Sequence, residues 1–347
     1  MPLGTVAFPE HIYALGFSWW KRTSVCSCFT GSQVHFISNV GQIPPGATVA
    51  VWGQRVLPGM PEGVQVVRLE DGFLRSVGLG ADLTRPVSWV LDRTGIYFDA
   101  TRPSDLEQLL QQTDFSADQL LKRAAALRQR LVDSSLTKYN VGTAVWQRPA
   151  AISRVILVPG QVESDASLAY GAPGIKTNMA LLQAVRAAHP DAFLVYKPHP
   201  DVLAGLRAQG QAEDQANTWC DEQVTDVTMG ALLSQVDELH TMTSLAGFEA
   251  LLRGKRVVCY GQPFYSGWGL TEDMLPVDRR TRRLRLEELI AGSLLLYPCY
   301  MSRHTGRLIT AEQALDELLA WREQTPVTET VWTRIKRMVL RRVVGVR

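Results

Sequence analysis

The sequence predicts an α/β protein of two Rossmann-like domains whose parallel sheets face a central cleft. Three observations carry this expectation. Short apolar runs alternate with stretches of helical period along most of the chain, the pattern of parallel strands joined by helices. The 347 residues exceed what one compact core ordinarily holds. The alternation also falls into two series, with a break near residues 145–153.

In the first series, runs at 12–16, 34–38, 48–52, 64–69 and 89–91 read as buried strands, punctuated by turn formers such as GQIPPG at 41–46. Residues 104–110 and 116–132 carry helical spacing. The second series reads as strand 155–158, helix 177–188, strand 192–196, helix 230–235, strand 238–242, helix 244–253 and strand 256–260. Beyond 284 the patterns at 286–290 and 311–322 are helical, so this part is expected to pack back across the body. The expected divisions are 1–148, 149–300, a helical segment 301–330 and a basic tail 331–347.

Composition narrows the function. Hydrophobic content of 46% and charged content of 20% are ordinary for a globular protein. A net charge of +2 argues against a dedicated nucleic-acid binder. Cys26, Cys28, Cys220, Cys259 and Cys299 are odd in number and lack zinc or redox spacing, which suits reduced structural thiols. The first residues lack a signal-peptide pattern and no apolar run is long enough to span a bilayer, so a cytoplasmic location is expected. The tail VWTRIKRMVLRRVVGVR has six basic residues, no acidic one, and an apolar stripe. It suits either a helix lying on an anionic membrane leaflet or a final helix packed on the body.

In open α/β sheets ligands sit beyond the carboxyl ends of strands. Five segments fall there. GQVESDAS at 160–167 is more polar than a connection needs; Gln161 and Asp165 suit a ligand, or Asp165 caps a helix. Glu70 and Asp71 are adjacent carboxylates with Arg75 nearby, a pair able to hold a proton near neutrality, or a simple turn at Asp71-Gly72. In Lys197-Pro198-His199-Pro200 the prolines stiffen the loop and aim an imidazole beside a cation, a fitting phosphate clamp. Ser244 opens a helix whose amides attract phosphate, or is only a cap, and Glu249 within that helix suits a ribose hydroxyl or a solvated face. Ser266, Gly267, Trp268 and Gly269 offer an indole and a hydroxyl for a base or sugar ring, or form a buried turn. Walker, His-Glu-x-x-His, Cys-x-x-Cys, Gly-x-Ser-x-Gly and Asp-x-Asp patterns are absent, so neither a metal nor another cofactor is expected.

Together the segments YALGFSWWKR (13–22), EDGFLRSVGLG (70–80), TRPV (84–87), VPGQVESDAS (158–167), YKPHPDVLAG (196–205) and GQPFYSGWGLTED (261–273) resemble the capsule polysaccharide biosynthesis/export family, the KpsC/LipA-type β-Kdo glycosyltransferases. The resemblance implies a GT-B-like arrangement and transfer of Kdo from CMP-Kdo in β linkage with retention. It implies a glycan or glycolipid acceptor in capsule or lipopolysaccharide assembly. Many family members carry two modules, and this chain has length for one. A retaining mechanism placed on these residues makes Asp165 the nucleophile and gives Glu70 and Asp71 the acid/base work. His199 and Lys197 then neutralise the leaving phosphate. Gln161, Ser244, Glu249 and the 266–269 turn hold the nucleotide sugar, and Arg75 meets the Kdo carboxylate. Two other readings stand beside this one: a transferase using another activated sugar, and a non-catalytic assembly or export subunit.

Overall fold

The computed structural model describes residues 7–325 apart from 56, 79–84, 139, 141 and 143. The chain first lays down β1 (His11–Leu15), α1 (Arg22–Cys28), β2 (Gln33–Ile37), β3 (Thr48–Trp52), β4 (Gln65–Asp71), β5 (Ser88–Asp92), α2 (Asp105–Gln112) and α3 (Asp118–Asp133). β5 is buried at every position, which is why its sequence reads as a continuous run rather than an alternation. α2 begins where the Ser104 hydroxyl accepts from the Glu107 N–H at 3.1 Å, and it buries Leu106 and Leu110.

Next come β6 (Val155–Pro159), α4 (Ala166–Gly171), α5 (Asn178–Ala188), β7 (Phe193–Lys197), α6 (Pro200–Leu203), β8 (Glu222–Gln223), α7 (Met229–Gln235), β9 (Glu238–Thr241), α8 (Leu245–Leu252), β10 (Arg256–Cys259) and β11 (Glu272–Asp273). These strands form one sheet in the order β11-β10-β9-β6-β7-β8, parallel throughout. Counted from β6, that is the 3-2-1-4-5-6 order of the Rossmann fold, with its switch point between β6 and β9. Its core packs Ile156, Val158, Leu182, Leu194, Tyr196, Met242 and Val258.

The chain then returns through α9 (Leu286–Ile290), a π-helical turn (Ala291–Leu296), β12 (Pro298–Met301), β13 (Leu308–Ile309) and α10 (Ala311–Gln324). The first sheet therefore reads β13-β12-β5-β4-β3-β1-β2. It is parallel from β2 to β4 and antiparallel from β4 to β13, with a switch point between β1 and β3. Its core includes Ile12, Ala14, Val25, Phe29, Ala50, Leu69, Trp89 and Cys299.

The expected α/β class with two Rossmann-like units holds, and two expectations are corrected. The stretch beyond 284 is not wholly helical: β12 and β13 lie within it. The apolar run from Leu294 to Met301 fits helix or strand on pattern alone, and Pro298, lacking an N–H, stops the helix and opens the strand. The chain also divides differently from the boundary at 148/149. Among the described residues one unit comprises 7–75, 85–127 and 287–319, and the other comprises 76–78, 128–286 and 320–325. Pairing of β12 with β5 draws residues 287–300 into the first unit, and no local signal announces so distant a partner. The tail 331–347 lies outside the described residues. Among the described residues no helix is long and apolar enough to cross a membrane.

Candidate functional site

In the second unit Pro159 pairs with Lys197 and Cys259 with Thr241, so the segments after β6, β7, β9 and β10 leave one carboxyl edge. Gln161 is buried there and joins the two sides of the switch point. Its Nε2 donates to Thr243 Oγ1 at 2.9 Å, and its Oε1 accepts from the Thr243 N–H at 3.0 Å and the Thr241 hydroxyl at 3.3 Å. Asn178 clamps the Gln161 backbone with two 2.9 Å bonds. Gln161, expected on the ligand, is thus a tie between loops. Behind it stands a network that sequence reading missed. Glu163 accepts from the N–H groups of Asn178 (2.8 Å) and Gln211 (2.9 Å), while Glu213 accepts from the Tyr196 hydroxyl and the Gly210 N–H. Apart from the Gly210–Glu213 turn, these partners come from different segments, and only the fold brings them together.

Asp165 is exposed at the N-terminus of α4. Its Oδ1 accepts from the Ser167 N–H at 2.8 Å, and its Oδ2 makes no hydrogen bond among the described residues. The capping role and an available carboxylate oxygen therefore coexist. Asp165 also acts electrostatically on His199, which places the two in one neighbourhood. Burial, together with the charges of Lys138, Arg207 and Lys197, pulls the His199 imidazole down to about 4 against the opposing Asp165. The ring is therefore neutral at pH 7. Its Nδ1 accepts from the Asp201 N–H at 3.1 Å, so Nε2 carries the proton. Lys197 is buried, which lowers its ammonium to about 8 against the pull of Asp226, and it donates to the Thr225 carbonyl at 3.3 Å.

Three further expectations at this edge take structural forms. The Ser244 hydroxyl caps α8, accepting from the Ala246 N–H at 3.2 Å. Glu249 is buried against the loop before the second unit's sheet, accepting from the Lys138 N–H at 2.7 Å. Burial pushes its carboxyl up to about 7 despite Arg253 and Lys138. Trp268 is fully buried and donates from Nε1 to the Phe264 carbonyl at 2.8 Å, so neither ring face is open to a base. The Ser266 hydroxyl donates to the Pro263 carbonyl at 2.9 Å, and Arg280 closes the same turn on the Pro263 and Ser266 carbonyls. Gly267 and Gly269 adopt φ of +82° and +79°, which the turn itself requires. The expected nucleotide platform at 266–269 is a closed turn. Local sequence cannot distinguish an open indole from an interior one.

In the first unit Glu70 and Asp71 are the last residues of β4 rather than part of a loop. Arg75, expected to meet a sugar carboxylate, is 4% exposed and bonds Asp71 through Nε at 2.5 Å. Lys21, to which the sequence reading gave no role, lies at the end of a one-turn 3-10 helix (Trp19–Lys21) after β1. Its Nζ stands 2.8 Å from the centroid of the Trp52 ring at the end of β3 and 5.2 Å from that of Trp20. Burial lowers this ammonium to about 8 against the pull of Asp71 and Glu70. Trp19 beside it is 80% exposed. A cation and two tryptophans after a strand were the legible signal. Among the described residues no group of three or more His, Cys, Asp or Glu is arranged to hold a metal.

The fold and these edges define an α/β protein of two Rossmann-type units, each with polar and charged groups at its sheet's carboxyl edge. A family model described as "Capsule polysaccharide biosynthesis protein" matches residues 59–144 and 120–301, and the chain belongs to that family. It is 44% identical over 319 residues to the capsule polysaccharide modification protein LipA of Neisseria meningitidis serogroup A, covering 89% of this chain and 45% of LipA. The chain thus spans about half the length of that curated relative. Two solved structures from Thermosulfurimonas dismutans are also similar. KpsC described as a beta Kdo 2,7 transferase matches with TM-score 0.73 and 40% identity over 90% of this chain and 100% of that one. KpsC described as a beta Kdo 2,4 transferase matches with TM-score 0.79 and 30% identity over 90% and 99%.

Proposed function

We propose that this chain is a metal-independent glycosyltransferase module that moves Kdo from CMP-Kdo to a glycan or glycolipid in β linkage, with retention, during assembly of a bacterial surface polysaccharide. The observation that carries this reading is the 40% identity with a solved β-Kdo transferase across 90% of the chain and all of that structure. In this reading the second unit takes the donor and the first the acceptor. Asp165 attacks the anomeric carbon through the oxygen its cap leaves unused, and the bond to the CMP phosphate breaks. Lys197 and the Nε2–H of His199 meet the departing phosphate, whose charge raises the imidazole's affinity for a proton. The acceptor hydroxyl then displaces Asp165, giving its proton to Glu70 or Asp71, and two inversions leave the configuration retained.

The test uses CMP-Kdo generated in situ with a synthetic Kdo-terminated lipid, in EDTA, for wild type and Asp165→Asn. Asparagine caps a helix as well as aspartate does, so the variant removes the nucleophile and keeps the fold. Product from wild type and none from a folded variant is expected. A wild type that neither transfers Kdo nor releases CMP would sink the proposal in favour of an assembly subunit.

A further inference from the structure

We propose that the β1/β3 switch point of the first unit is a binding site for a sugar acid, with Lys21 receiving its carboxylate. The proposal deepens the transferase reading, on which it rests in making that sugar the terminus of the acceptor. Topology supplies the first argument. The parallel part of the first sheet runs β2-β1-β3-β4, and in open α/β sheets the crevice beyond the strand ends at such a reversal is where ligands bind. Lys21 comes from the segment after β1, and Trp52, over which it stands, is the last residue of β3. The pair therefore spans the reversal.

Charge supplies the second. Several cations reach this edge: Arg75 is committed to Asp71, Arg68 donates to the Gly53 carbonyl, and the Arg55 guanidinium lies against Gly16. Lys21 makes no hydrogen bond or ion pair among the described residues. An ammonium has three donors. The Trp52 face stabilises the charge but accepts no conventional hydrogen bond, so a half-buried cation is left with donors to give. An arriving anion would neutralise a charge that burial now disfavours.

The third argument concerns the rest of the ligand. A bare anion such as phosphate would be repelled by Glu70 and Asp71, whose charges act on the same ammonium. A sugar acid carries a carboxylate for Lys21 and hydroxyls that donate to those carboxylates. The exposed Trp19 indole offers an apolar face to a pyranose ring or to the next sugar along.

The test is binding of the whole chain to the methyl glycoside of a 2-keto sugar acid and to its carboxyl-reduced counterpart, followed by ligand-observed NMR. Wild type should prefer the acid roughly tenfold, the worth of one charge-assisted hydrogen bond. Lys21→Met, whose stem still covers Trp52, should lose that preference, and Lys21→Arg should keep most of it. Equal affinity of wild type for the two glycosides, or a preference that survives in folded Lys21→Met, would overturn the site. The CMP-Kdo assay reads the other proposition separately. Absent turnover with a Lys21-dependent preference intact would support this site and overturn the transferase. Transfer indifferent to the acceptor's carboxylate would do the reverse.

Discussion

Glu249 carries a pH dependence of stability. Its carboxyl is raised from an ordinary 4.5 to about 7, with burial the leading cause. The folded chain therefore binds this proton more tightly than the unfolded chain. The stabilisation is fully present below about 4.5 and is lost as pH rises through 7. Glu249→Gln keeps an oxygen for the Lys138 N–H and removes the ionisation. The melting temperature of the variant should gain on wild type between about pH 4.5 and 7 and then level off. The full difference is on the order of a few kcal/mol, and thermal unfolding across that range measures it. The same residue shows where local reading stops. That Glu249 lies one and a half turns into a helix is visible in the sequence; that its face meets Lys138 is not, because the partner comes from 111 residues away. Arg75 and Trp268 mark a different limit: their partners Asp71 and Phe264 are only four residues away, but their burial is not written in spacing.

At the level of elements, the strand ends were legible. Runs of β-branched and aliphatic residues bounded by glycine and proline placed the loops after β6, β7 and β9 correctly at one edge. Their internal wiring was not: Gln161 stood out only as a ligand contact, and Asn178, Glu213 and Tyr196 look unremarkable singly. The turn after β6 depends on how closely it approaches the next loop. A Cβ on Gly160 would stand 2.6 Å from the Tyr196 hydroxyl, 3.1 Å from the His199 nitrogen and 3.2 Å from the Pro198 Cα. Two of those three atoms are backbone and cannot step aside. Gly160→Ala should therefore push the Gln161–Asp165 loop away from His199, leaving secondary structure by circular dichroism near wild type. Its kcat should fall by about tenfold or more, as small displacements of reacting groups do; unchanged turnover would show that this approach is not needed.

For the whole molecule, the class of fold was readable from alternation, whereas the division of the chain was not. Periodicity reports each strand's exposure to its own neighbours, and the pairing of β12 with β5 is a long-range event. A chain ending at residue 286 tests how much the first unit depends on it. That chain lacks the partner of Val90 and the Tyr297 hydroxyl that donates to Asp92 at 2.8 Å. The first unit should be cleaved rapidly by protease at residues 88–127, while β6–β11 stay protected. Equal protection of both would show that β5 tolerates an open edge.

That return strand also sets a timetable for synthesis. Trp89 and Cys299, bonded in the finished sheet, are 210 residues apart. At ribosomal speed the gap lasts roughly 10 to 40 seconds. For most of it β5 stands outside the exit tunnel with one row of amides and carbonyls unpaired, a surface that invites wrong partners. The second sheet begins later, yet all its strands have been made by Asp273. The sheet begun first is thus the one completed last, and a nascent chain stalled between residues 280 and 298 is the form most in need of a chaperone.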